Sequence, residues 1–367
     1  MEVPEFARYL AALVGLVIVI VTATSVIGTV INPRPATGRL THGIDRLVDI
    51  GFRGATSRTN NYPVRDRVRT AQAPTVLICQ LIAWLLLFFV GYALLLWPVL
   101  HAGITSAFST VGSALWAVGE TTEHGAAERA VLDLAGLTGL ITVALQIAYL
   151  PALYSAFNRR ATEVALLNAR AGLPAWGPEL LARTYFGLGS GNSTIDTLPR
   201  LYADWERWAA DVMETHTTYP VLVRVRSPQP LSSWVTALLA VLDSAALTLA
   251  LSPSQIPTVA ARLCLRSGFL CLREIATTMG LTISEDTSRT GISLTYQQFL
   301  DAVTHMEKVD FPIERCPEEA WPDFVGWRGN YEEAAYAIAS AIDAVPALWS
   351  GPRRFTDEAI LPIRPPL

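Results

Sequence analysis

The chain has 367 residues, 28 Lys+Arg against 32 Asp+Glu for a formal charge of −4, and is 51% hydrophobic but only 16% charged. Soluble domains carry about 25% charged residues, so this balance excludes a disordered chain, a collagen-like fibre and a nucleic-acid binder driven by overall basicity. The longest uncharged stretches all fall before residue 160, which divides the chain into a membrane part, 1–159, and a more ordinary polar part, 160–367.

No charge lies between Arg8 and Arg34, and the run Tyr9–Ile31 exceeds the roughly 20 residues a helix needs to cross a bilayer. A secretory signal is shorter and follows positive charge. Here Glu2 and Glu5 stand against Arg8, so the sequence predicts a retained transmembrane helix over about 9–31. The next uncharged run, Thr70–Gly119, opens with a second span at 75–97, where Tyr92 and Trp97 suit an interface. A third span is predicted over about 131–157.

Arginine asymmetry orients these spans. The loop 32–74 holds eight arginines, at 34, 39, 46, 53, 58, 65, 67 and 69, whereas 98–130 holds Arg129 alone. Arg159, Arg160 and Arg170 follow the third run. The positive-inside rule then puts 32–74 and everything after 158 in the cytoplasm, with the N-terminus outside. Between the second and third spans lies Ile104–Gly119, apolar and rich in Gly, Ser, Thr and Ala. A full crossing there would reverse the side on which Arg159 and Arg160 emerge, so the expected element is a re-entrant half-helix over about 104–122. Non-helical backbone at membrane depth survives only where protein buries it or where it lines a water-filled cavity.

The order of span, half-helix, V-G turn and span is the pore module of tetrameric cation channels. The sequence resembles a bacterial potassium-channel-like family with a long helical cytoplasmic domain. The likeness runs over about 9–350 and rests on stretches 148–160, 169–183, 201–228, 232–251 and 261–276. It implies one pore segment per chain, a homotetramer in the cell membrane and a monovalent cation, with potassium first in view, as the permeant ion. No other cofactor, metal or nucleic-acid partner is implied.

At the filter the sequence departs from that family. Where T-V-G-[FY]-G-D is expected, the chain reads Ala117-Val118-Gly119-Glu120-Thr121-Thr122. A potassium filter replaces the ion's hydration shell with carbonyl oxygens and a threonine hydroxyl. Ala117 supplies no hydroxyl, and β-branched Thr121 stands where a second glycine would permit positive φ. A second register, Thr110-Val111-Gly112, keeps T-V-G but continues Ser113-Ala114-Leu115 and sits farther from the third span. In the first register, four copies of Glu120 would form a carboxylate ring at the outer mouth. Glu123, His124 and Glu128 would extend an acidic vestibule. Along the inner helix, Gly136, Gly139 and Pro151 are candidate hinge and gate positions, although small residues serve helix packing equally well.

The remainder reads as helical. The inner helix should continue through Arg160–Arg170 until Gly172 and Pro174 break it. Leu198–Thr215 carries Leu201, Trp205, Trp208 and Val212 on one face. Thr295 and Gln298 form a capping box opening a helix to Val309, and Pro317–Val345 gives one or two more. Leu231–Leu251 is apolar enough to span, but Asp243 near its centre would cost about 2.5–3.5 kcal/mol in a bilayer. It is expected to be a buried helix of the cytoplasmic domain. Cys79, Cys264, Cys271 and Cys316 signal neither zinc nor disulfides. Gly187–Gly191 lacks the rest of a nucleotide loop, the sequon Asn192–Thr194 is void in a cytoplasmic segment, and no nucleophile–base pair stands out.

The expected class is an all-α membrane protein with three transmembrane helices, a re-entrant pore half-helix and a helical cytoplasmic domain. The expected function is a cation pore of altered selectivity. The alternative is a non-conducting pseudo-channel that anchors an interaction domain for an unknown partner.

Overall fold

Long apolar runs free of Gly–Pro clusters favour helices, and in the computed structural model every named element is helical. The structure describes residues 4–31, 39–59, 61–100, 103–116, 125–185, 195–284, 291–355 and 358–363. Among them the only strand-like pairings are two isolated bridges, Leu173 with Ile363 and Ala347 with Ile360.

The helices are α1 (Glu5–Val30), α2 (Arg39–Thr56), α3 (Tyr62–Thr70), α4 (Gln72–Leu96), α5 (Ile104–Leu115), α6 (Ala126–Ala171) and α7 (Gly177–Tyr185). They continue with α8 (Leu198–Thr218), a 3-10 turn (Pro220–Arg224), α9 (Trp234–Leu251), α10 (Thr258–Thr278), α11 (Tyr296–Glu307), α12 (Pro317–Arg328) and α13 (Glu332–Ala341). By length and composition α1, the stretch holding α4, α6 and α9 could each cross a membrane. Their surroundings separate them. Only 17% of the most apolar window of α1 is buried, against 100% for α9.

The chain divides into two units. The first joins Met1–Gly54 to Ala71–Tyr154, and the second joins Ala55–Thr70 to Ser155–Leu367. The sequence-based division at 159/160 gave 55–70 to the membrane part. In the structure, the contacts of that segment group it with the C-terminal residues.

In the first unit α1 packs along α4. They meet at two glycines, where a Cβ on Gly15 would lie 2.5 Å from the Gly91 carbonyl oxygen. Small residues at such a crossing let helix backbones approach closely. Nearby, the Trp84 indole donates to the Ser25 hydroxyl at 3.2 Å, so an apolar crossing also carries a polar pin.

In the second unit α9 is the core. All its residues are buried, and α7, α8, α10, α12 and α13 surround it. Leu201, Trp205, Trp208 and Val212 of α8 face inward as their spacing predicts. The capping box at Thr295 and Gln298 is formed, with both reciprocal hydrogen bonds present. Helix α6 runs unbroken past Arg160 to Ala171, where Gly172 takes φ +80°. That left-handed turn costs a glycine nothing. All four cysteines are free thiols, with Cys264 and Cys271 buried and Cys316 exposed; burial pushes the Cys264 and Cys271 thiols up, the ordinary state of inert core cysteines.

Candidate pore segment and buried charges

Helix α5 has 12 residues, about 18 Å of helix at 1.5 Å per residue, against a hydrocarbon core of about 30 Å. Gly103 enters it in an extended conformation, and Ala107, Thr110, Val111 and Leu115 form its buried stripe. Phe108 meets Phe89 of α4 edge-on at 5.2 Å. The far end of α5 lies against α6: a Cβ on Gly136 would come within 3.1 Å of the Ala114 carbonyl oxygen, and one on Gly139 within 3.0 Å of that of Leu115. Tyr92 of α4 and Thr138 of α6 complete the triangle with hydroxyls 2.8 Å apart. Gly136 and Gly139 therefore make room for a neighbouring helix end. Helix α5 is thus wedged between the two long apolar helices that flank it in sequence.

The filter residues Ala117, Val118, Gly119, Glu120 and Thr121, with Glu123 and His124, lie outside the described residues, as do Gly187–Gly191 and Asn192–Thr194. The competing register does not. Thr110, Val111 and Gly112 are inside α5, and the Gly112 carbonyl accepts from the Trp116 amide at 3.1 Å. Helical carbonyls engaged along their own axis cannot line an ion path, which removes that register. Glu128, expected at the outer mouth, accepts from the Gly125 amide at 3.2 Å and caps the start of α6, where the helix dipole favours an acid. Pro151 sits within continuous α6, three residues before the point where the two units divide.

Among the buried charges of the second unit, three sets were not anticipated by the sequence and bear on how its parts are held. In the first, the fully buried Arg328 pairs with Asp243 and with Glu332 at 2.5 Å. It also donates to the Tyr336 hydroxyl at 2.8 Å and the Trp349 carbonyl at 2.7 Å. The Tyr331 hydroxyl donates to Asp243 at 2.8 Å. Burial pushes the Asp243 carboxyl up, opposed by Arg328 and that hydroxyl. The residue read as too costly for a membrane is instead the acceptor at the centre of the bundle.

In the second set, α3 docks through its arginines. Tyr62, Arg65 and Arg69 form its buried face. Arg65 Nε lies 3.2 Å and Arg69 Nε 3.4 Å from Asp343 Oδ2. In the opposite sense, Arg226 pairs with Asp66 of α3 and donates to the Ile342 carbonyl at 2.6 Å. Arg65 also sits 4.2 Å over the Phe355 ring. The three- and four-residue spacing of Tyr62, Arg65 and Arg69 is a one-face signal in the sequence, hidden because the same arginines also read as charge bias of a loop.

The third set surrounds Arg160. Its guanidinium is buried and donates to the Leu222 and Val225 carbonyls, each at 2.7 Å, and to His216 Nε2 at 2.8 Å. An Arg can only donate, so His216 Nε2 must be the unprotonated acceptor. Burial first, and the Arg160 charge second, hold His216 well below its usual value. Between the unfolded value near 6.5 and this depressed folded value, the unfolded chain binds the extra proton. Stability from this site is therefore whole above about pH 6.5 and falls as the pH drops below it, by up to about 1.4 kcal/mol per unit. His216→Gln, which keeps an acceptor, should flatten that acid slope. Thermal melts between pH 7.5 and 5.5 would test this; equal slopes in both proteins would contradict it.

Among the described residues no group of three or more His, Cys, Asp or Glu side chains could hold a metal ion. Comparison of the chain with known proteins finds no matching family model, no matching curated protein and no matching solved structure.

Proposed function

We propose that the chain is a potassium-channel-like membrane protein: a homotetrameric cation pore of altered or weak selectivity in the cell membrane. In this reading α1, α4 and α6 span the bilayer, α5 is the re-entrant half-helix, the N-terminus is outside and the C-terminal unit is cytoplasmic. The observation that carries it is the placement of α5. A helix too short to cross is held between α4 and α6, and its C-terminal end leads directly into Ala117–Thr122. The partial negative charge of a helix C-terminus favours a cation near that end. One such segment per chain needs four chains to close a ring, and closed cyclic symmetry is usual for assemblies of identical chains. Glu120 would then supply the ring of carboxylates that selects cations in place of a full set of filter carbonyls.

Cation uptake into liposomes carrying the purified tetramer is the test, with potassium and sodium compared for the wild type and Glu120→Gln. The expected result is measurable flux in the wild type that falls, or changes ion preference, in the variant. No flux from a verified tetramer would overturn the pore reading. That outcome would favour a second one, a non-conducting anchor for the helical unit and its unknown cytoplasmic partner. The absence of both the filter threonine and the second glycine favours this reading.

A further inference from the structure

Helix α2 has one face fixed to protein and one left open. On the fixed side, the Gln72 amide donates to Asp49 at 3.1 Å and the Gln80 amide to Thr41 at 3.4 Å. The Thr29 and Thr41 hydroxyls are 3.3 Å apart. Numbers that rise on α2 fall on α4, by eight residues in each case, so α2 lies antiparallel along the first two turns of α4. On the open side, Leu47 is 70% and Ile50 55% exposed. A Cβ placed on Gly43, Gly51 or Gly54 would meet nothing within 4 Å. These positions share one helix face at three- and four-residue spacing, and exposed Arg46 borders it.

The register fixes the height of that face. Leu47 and Ile50 come level with Pro74 of α4 and with Ala71 just before it, where the apolar run 75–97 begins. If α4 spans, that level is the boundary between headgroups and acyl chains. Above it the open surface continues as exposed Ile78, Ile82 and Leu86 along α4. A helix with apolar side chains and a bordering arginine at that depth matches the chemistry of an anionic lipid surface.

We propose that the Leu47–Ile50 face of α2 is seated in the headgroup region of an anionic leaflet, with Arg46 toward the lipid phosphates. This rests on the reading that α4 crosses the bilayer. The test uses the full chain, with Cys79 and Cys316 replaced by serine, in vesicles of phosphatidylcholine and phosphatidylglycerol. Spin labels are placed singly by Leu47→Cys, Ile50→Cys, Leu86→Cys and Glu307→Cys. Collisions with oxygen report lipid contact, and collisions with a water-soluble nickel chelate report solvent.

Labels at 47 and 50 should lose nickel collisions relative to 307 and gain oxygen collisions, and that gain should shrink in vesicles of phosphatidylcholine alone. Labels at 47 and 50 that behave like 307 would overturn the proposal. So would labels shielded from both agents, which would mean that a second protein surface covers the face. Insensitivity to lipid charge would overturn the anionic assignment. A label at 86 that meets nickel would show that the spanning reading itself has failed, and so separates the two failures.

Discussion

Asp243→Ala should destabilise the C-terminal unit by about 3–5 kcal/mol, the usual penalty for leaving one member of a buried ion pair without the other. Arg328 has no exposed side-chain surface and Asp243 has 1%, so water cannot screen the charge that remains. The substitution also removes the acceptor of the buried Tyr331 hydroxyl, adding about 1–3 kcal/mol where no new partner is found. Removing every charge at once should cost far less. In Asp243→Leu with Arg328→Met and Glu332→Gln, no charge of this network is left buried, the Tyr331 hydroxyl alone loses its acceptor, and Gln at 332 can still accept from the Ser293 amide that Glu332 now engages. Guanidinium unfolding followed by tryptophan emission is a suitable measure, because Trp176, Trp205, Trp208, Trp234 and Trp349 all lie in this core. A single variant as stable as the wild type would show that the network contributes nothing.

Asp343→Asn should release α3. Asp343 has φ 51°, a left-handed conformation that Asn adopts as readily as Asp, so the change removes charge while leaving the turn intact. Arg65 and Arg69 would lose the carboxylate that both approach. The loss should be about 3 kcal/mol, at the lower end for broken buried pairs because Arg65 keeps its bond to the Thr59 carbonyl and its contact with the Phe355 ring. That energy corresponds to opening of the segment about a hundredfold more often. Limited trypsin digestion reads this at Arg58 and Arg67, both exposed at the surface. Cleavage at the wild-type rate would contradict the docking role of Asp343.

The parts of this fold that were legible in the sequence are those governed by local pattern. Charge-free runs marked most of α1, all of α4 and the stretch 134–158 of α6. The stripe of Leu201, Trp205, Trp208 and Val212 gave α8, and Thr295 with Gln298 gave the start of α11. Gly172 and Pro174 gave the end of α6. Asp243 rightly argued that α9 belongs inside protein, yet its partner Arg328 could not be named. A pair separated by 85 positions leaves no periodic trace. The same holds for α3, whose arginines admit two readings from one composition: as charge bias next to apolar runs, and as buried donors that need acceptors only the tertiary fold supplies. At the candidate site, the shortness of α5 and its place between α4 and α6 were legible. The dual meaning of glycine was not, since in sequence Gly136 and Gly139 read equally as hinge or as packing, and only the fold sets Ala114 and Leu115 against them. The filter positions themselves, 117–124, fall outside the described residues.

The docking of α3 also sets an order of events during synthesis. Arg65 and Asp343 are 278 residues apart. At ribosomal speeds of about 5–20 residues per second, α3 leaves the ribosome roughly 15–55 s before its acceptor exists. Throughout that interval Arg65 and Arg69 have only nearby partners such as the Thr59 carbonyl and the Thr56 hydroxyl. A product that stops short of Asp343 cannot bury them, and a fragment that begins at Ser155 lacks α3 altogether. Turns made late secure a segment made early, so a protected α3 reports that translation has passed Asp343.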